Sequence, residues 1–160
     1  MEKGGTVIAL GMFDGVHLGH RSLFKKTLEV ADRHDLVPMA YTFSNHPIST
    51  ISSMSPRYIL DREESLRRIF NTGMENIVAD EFNTAMRDME PKCFLEMLLS
   101  RFSMKAAVVG FNYPFVKGAE AKANTLAQYG REMGFMVDIL PGVLYDGRLV
   151  SSTYIRSLIE

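Results

Sequence analysis

An apolar run, Val7-Ile8-Ala9-Leu10, empties straight into Gly11-Met12-Phe13-Asp14-Gly15-Val16-His17-Leu18-Gly19-His20, and this junction constrains the fold more than any other stretch. A buried strand, a glycine-punctuated turn and then helical periodicity (Leu23, Phe24, Leu28 and Ala31 within Leu18–Arg33) form the opening of an α/β unit. Backbone N–H groups at a helix N-terminus have no intrahelical partner and carry the positive end of the helix dipole, so they attract phosphate. At a spacing of three, His17 and His20 project from the same side of the first turn and can both face one anion. Glycines let the backbone come close, and imidazoles can stabilise charge that builds during phosphoryl chemistry. The stretch reads as a phosphate-handling site, for a nucleotide. A histidine near a helix start is more often a cap or a surface group; the strand before and the helix after lift this pair above that base expectation.

Strand and helix signals keep alternating. Leu36–Phe43 reads as the next strand, followed by Ser44–Ile59, a polar, proline-marked loop too long for a simple connection and so either disordered or a functional flap. Asp61 and Glu64 have the spacing of a capping box and open a helix to Phe70, closed by Gly73. Asn76–Ala79 is a short strand, Glu90–Phe102 a helix with Pro91 in its first turn, and Ala106–Gly110 a buried strand. A second loop, Phe111–Ala121, leads to a helix over Lys122–Met133, Gly134, and a strand over Phe135–Leu140. Leu144–Leu149 looks like a hairpin around Asp146-Gly147, and Ser152-Thr153 should cap a last helix. No repeat or composition shift marks a second domain, so residues 1–160 are expected to form one. The expected class is α/β, Rossmann-like, with a mostly parallel sheet and helices on both faces. Ligands of such sheets bind beyond the carboxyl ends of the strands, where the Gly11 turn and both long loops belong.

Charge and cysteine usage exclude several alternatives. With a net charge of −1 and no dense cluster of Lys and Arg, a nucleic-acid partner is not expected. No apolar segment is long enough to cross a bilayer, and Met1-Glu2-Lys3-Gly4-Gly5 runs into the first strand without the features of a signal peptide. A single cysteine cannot make an internal disulfide, which suits a reducing cytoplasm. Cys93 lies in an apolar helical stretch and is expected to be a buried structural thiol. No Cys/His cluster has metal-ligand spacing, so no protein metal site is expected. The eleven methionines are read as core fillers, His34 as a surface residue at a helix exit, and Arg62, Arg67 and Arg68 as a solvated helix face.

Two further stretches bear on the site. Val150-Ser151-Ser152-Thr153-Tyr154-Ile155-Arg156 puts hydroxyls at a helix start with a guanidinium one turn on, which suits a triphosphate. Taken alone, an N-cap with a solvated arginine is the commoner meaning. Thr42-Phe43-Ser44-Asn45-His46-Pro47 ends the second strand, and His46 either meets a substrate or caps the loop.

In order and approximate spacing, Gly-Met-Phe-Asp-Gly-Val-His-Leu-Gly-His, Thr-Phe-Ser-Asn-His-Pro, Val-Val-Gly-Phe-Asn-Tyr-Pro-Phe and Ser-Ser-Thr-Tyr-Ile-Arg resemble the FMN adenylyltransferase module of the prokaryotic bifunctional riboflavin kinase/FAD synthetases, from Val7 to Ile159. The first and last motifs belong to the wider nucleotidylyltransferase superfamily, and the middle two narrow the likeness to its flavin branch. The resemblance implies a nucleotidylyltransferase fold and a reaction of ATP with FMN to give FAD and pyrophosphate, with Mg²⁺ held largely by phosphate oxygens. By position it implies that His17, His20 and Arg156 are the catalytic set. Gly11, Met12, Phe13, Asp14, Gly19, Gly110 and Asn112 fall on the nucleotide side. Ser151, Ser152 and Thr153 fall on the β- and γ-phosphates, and Asn45, His46 and Pro47 on the flavin side. The chain departs from the family pattern at Val116, at Ala121-Lys122 and at Ser44-Asn45. Val116 stands where the family has a glycine able to take positive φ, and Lys122 where it has a carboxylate. No kinase module follows Arg156, so riboflavin phosphorylation is not expected of these residues. The competing expectations are a sister nucleotidylyltransferase with another phosphorylated acceptor, and a flavin- or nucleotide-binding protein without turnover.

Overall fold

The structure is a computed structural model, which describes residues 4–13, 16–44, 62–110, 123–142, 144–145 and 148–149. β1 (Thr6–Leu10), β2 (Val37–Phe43), β3 (Ile77–Asp80), β4 (Met104–Gly110) and β5 (Met136–Leu140) form one sheet in the order β3-β2-β1-β4-β5, every pair parallel. α1 (Leu18–His34) and α2 (Arg62–Asn71) precede β2 and β3; α3 (Thr84–Asp88) and α4 (Pro91–Phe102) precede β4, and α5 (Ala123–Met133) precedes β5. β6 (Leu144–Tyr145) and β7 (Arg148–Leu149) pair antiparallel, as the hairpin expectation requires.

β1 is buried at every position, because the sheet covers both its edges and helices cover both its faces. Alternation along it divides the interior into two cores. Val7 and Ala9 face a cluster with Phe13, Phe24, Val30, Ile69 and Met74, built on α1 and α2. Ile8 and Leu10 face the other, with Tyr41, Phe94, Leu95, Leu98 and Leu126, built on α4 and α5. Chain order explains the division. From β1 the connections step outward to β2 and β3 with their helices on one face. The chain then returns to β4 on the far side of β1, so right-handed crossovers place the later helices on the opposite face.

One expectation needs correcting, and one element has no counterpart in the sequence reading. Cys93 is exposed rather than buried: α4 turns Phe94, Leu95 and Leu98 inward, and position 93 falls on the solvent side of the same helical period. The short α3 escaped sequence reasoning, although Asn83 caps it by accepting from the Met86 N–H at 2.9 Å. A helix that brief has no hydrophobic period to detect. Among the methionines, Met74 and Met104 are fully buried core residues, whereas Met136 is exposed. The Ser44–Ile59 and Phe111–Ala121 loops, apart from Ser44 itself, and the helix start at Ser152-Thr153 lie outside the described residues. Among the described residues no helix is long and apolar enough to cross a membrane.

Candidate active site

The strand order reverses between β1 and β4, and a sheet of this kind opens a crevice beyond the carboxyl ends of those two strands. Gly11 follows β1 there, and Gly110 ends β4 beside it. The turn after β1 is held from several directions. The Gly11 N–H donates to the Tyr41 carbonyl at 3.4 Å, and the buried Thr42 hydroxyl donates to the Met12 carbonyl at 3.1 Å. Phe13 (φ 59°) and Val16 (φ 44°) both take the left-handed conformation that ordinary side chains avoid, so the surrounding contacts must hold it. The Val16 N–H closes onto the Phe13 carbonyl at 3.2 Å, and Arg21 Nε donates to the Val16 carbonyl at 3.2 Å.

Phe13 turns inward rather than toward a ligand. Its ring is buried, 4.7 Å from the Phe24 ring and edge-on to the His20 ring at 5.4 Å. Gly11 is required by that placement, since a Cβ there would come within 2.8 Å of the Phe13 ring.

Both histidines cap the helix they begin. His17 is the N-cap of α1, and its Nδ1 accepts from the Gly19 N–H at 3.1 Å and the His20 N–H at 3.3 Å. His20 reaches back, its Nδ1 accepting from the His17 N–H at 3.3 Å. This is the reciprocal capping box, made here by two imidazoles instead of a hydroxyl and a carboxylate. The rings stack with centroids 3.6 Å apart and planes 17° from parallel. Since each Nδ1 is an acceptor, each ring in this arrangement is neutral and carries its proton on Nε2, as a donor. Burial, and then the neighbouring His17, push the His20 pKa down to about 2. The helix start therefore presents two neutral N–H donors beside the positive end of a dipole, a combination suited to an oxyanion that gains charge during reaction.

The structure thus brings together Gly11, Met12, Phe13, His17, Gly19, His20 and, on the adjacent strand, Gly110. Asp14, Asn45, His46, Pro47, Asn112, Ser151, Ser152, Thr153 and Arg156 lie outside the described residues. Sequence reasoning missed Thr42 and Arg21, which hold the turn through its carbonyls. Thr42 is 30 positions away from Met12 in the chain, so only the parallel pairing of β1 with β2 brings them together. Among the described residues no group of three or more His, Cys, Asp or Glu side chains could hold a metal ion.

Comparison with known proteins gives the arrangement a family. A family model described as FAD synthetase matches residues 1–154. A bifunctional riboflavin kinase/FMN adenylyltransferase of Listeria monocytogenes is 30% identical over 96% of this chain and 49% of its own length. A protein of the same organism named FAD synthetase is 25% identical over 99% of this chain and 65% of its own length. The chain spans about half the length of the first curated relatives it matches. A solved Streptococcus pneumoniae structure, described as a macrolide-efflux protein, superposes with a TM-score of 0.87 at 27% identity, over 99% of this chain and 52% of that one. With the family model matching almost its whole length and the motif histidines capping the helix at the switch point of a parallel sheet, this chain belongs to the FAD synthetase family.

Proposed function

We propose that this chain transfers the adenylyl group of ATP to FMN, giving FAD and pyrophosphate. The observation that carries the reading is the pair of neutral, stacked imidazoles locked by their own helix start into the Nε2–H form. In such a reaction an oxygen of the FMN phosphate attacks the α-phosphorus of ATP. The bond from that phosphorus to the bridging oxygen breaks, and pyrophosphate leaves with the electron pair. The nucleophile is already an anion, so the protein need not remove a proton. Its work is to place the two phosphates and to stabilise negative charge on the α-phosphoryl oxygens. Neutral N–H donors suit that task, because they strengthen as the oxygens gain charge without binding the ground state as tightly as full cations.

In this reading Gly19 and the first turn of α1 receive the phosphates. Ser151, Ser152, Thr153 and Arg156 hold the β- and γ-phosphates, Asn112 lies near the substrates, and Asn45-His46-Pro47 flanks the flavin. Mg²⁺ enters with ATP as the counter-ion of its phosphates. ATP, FMN and FAD are the small-molecule partners, in a cytoplasmic setting. The test is an end-point assay of purified protein with Mg-ATP and FMN, following FAD by chromatography and pyrophosphate together. FAD and pyrophosphate in equal amounts are expected; binding of both substrates without product would overturn the reading.

A further inference from the structure

α1 and α2 lie side by side on one face of the sheet and leave a groove of about 480 Å³ between them. Its lining carries four cations, Arg21 and Lys25 from α1 and Arg67 and Arg68 from α2, over a floor of Phe24 and Leu28. Glu64 accepts from Arg67 Nε at 2.9 Å and from Arg68 Nε at 3.0 Å, and those two hydrogen bonds hold its pKa down at about 2. Lys25 has no carboxylate partner among the described residues. Among the described residues the groove lining carries four cations and no carboxylate, and Glu64 beside it pairs with two of them.

Arg67 and Arg68 are exposed, as expected of a solvated helix face, and together with Arg21 and Lys25 of α1 they line a concavity. Its volume is that of a small-molecule site and too small for a nucleic acid. Guanidinium groups match phosphate oxygens in a planar, two-point fashion, and an ammonium adds charge without directional demand. Asn71 adds a neutral amide at the lining.

We propose that the α1–α2 groove is a second anion site, which takes a polyphosphate group, either free pyrophosphate or the phosphate tail of a nucleotide. It is distinct from the histidine turn, yet joined to it by Arg21, which lines the groove and donates to the carbonyl of Val16 next to the N-cap. The assignment does not rest on adenylyl transfer, and its test reads binding alone.

The experiment is calorimetric titration of the full chain with pyrophosphate, then with ATP and with adenosine. The wild-type protein is expected to show two classes of pyrophosphate site. Lys25→Gln combined with Arg67→Gln, both exposed positions, weakens one class about tenfold or more and leaves the other unchanged. His17→Ala combined with His20→Ala leaves the groove class unchanged. ATP binding the groove more tightly than pyrophosphate, with adenosine silent, assigns the site to a nucleotide; equal binding assigns it to pyrophosphate itself. A single class of site, indifferent to the groove substitutions in a protein with an unchanged melting temperature, overturns the proposal.

Discussion

His20 does two jobs with one ring. Its Nδ1 accepts from the His17 N–H, and burial keeps the ring from taking a second proton. The folded value near 2 lies far below the ordinary value of 6.5, so between those limits the unfolded chain binds the proton and the folded chain does not. Stability is therefore full above about pH 6.5 and falls as the pH drops toward 2. At pH 5 the loss assignable to His20 is about 2 kcal/mol. Denaturant unfolding at pH 7 and pH 5 checks this: the wild type should lose roughly that much more than His20→Asn, and equal losses would refute it. Turnover should show no inflection near pH 6.5 belonging to His20, which separates this ring from a general base. In the proposed reaction, replacing either imidazole removes a donor at the reacting phosphate. His17→Ala and His20→Ala are each expected to lower kcat about two to four orders of magnitude while changing the ATP Kd far less. Loss of the cap at His17 costs about 0.5–2 kcal/mol besides, so kcat is read well below the melting temperature. Comparable losses in binding with kcat intact would move both histidines out of the reaction.

The carboxyl end of β2 is where separate elements are tied to one another. Tyr41 donates to Asp80 at the end of β3 at 2.7 Å, and Arg101 of α4 donates to the same carboxylate at 2.6 Å. Burial alone would raise the Asp80 pKa, but the hydrogen bonds from Arg101 and then Tyr41 outweigh it and hold the carboxyl below its ordinary value. One residue further along β2, Thr42 reaches in the other direction to the Met12 carbonyl. The edge strand, the central strands and the glycine turn are thereby fixed relative to each other. Thr42→Val keeps the shape and removes the hydroxyl, which should cost about 1–3 kcal/mol and lower kcat, because the Met12 carbonyl then lacks that donor. Urea unfolding with steady-state kinetics checks both; an unchanged kcat would show that the turn is held without Thr42. This clamp had no signature in the chain, unlike the elements it joins. Thr6–Leu10, the helix after it and the strand Val37–Phe43 were all readable, because period and punctuation are local. The histidine spacing pointed to the candidate site for the same reason. The Nδ1 lock, the inward Phe13 and the outward Cys93 depended on backbone geometry and helix phase, which spacing does not carry.

Across the whole molecule, the sheet separates two cores that bear unequally on the site. On one face Phe24 packs against Phe13, and Phe13 meets the His20 ring, so a continuous chain of aromatic contacts runs from the α1 core to the two stacked imidazoles. On the other face Leu98 is equally buried, in the cluster with Phe94, Leu95 and Leu126, but that cluster includes neither Phe13 nor the histidines. Stability and activity should therefore separate. Leu98→Ala leaves a cavity and is expected to cost about 2–5 kcal/mol with kcat nearly unchanged wherever the protein remains folded. Phe24→Leu is the milder change for the fold, roughly 1–3 kcal/mol, yet it withdraws the surface on which Phe13 rests. Phe13 is held at a positive φ and cannot settle elsewhere cheaply, so the His20 ring loses its edge contact and, in the proposed reaction, its angle to the phosphate. A misplacement of that kind is expected to lower kcat about tenfold or more. Melting temperatures and single-turnover rates at a temperature where both variants are fully folded decide the matter. If the two variants lose activity only in proportion to their lost stability, the aromatic chain does not position His20, and the two faces of the sheet serve the site alike.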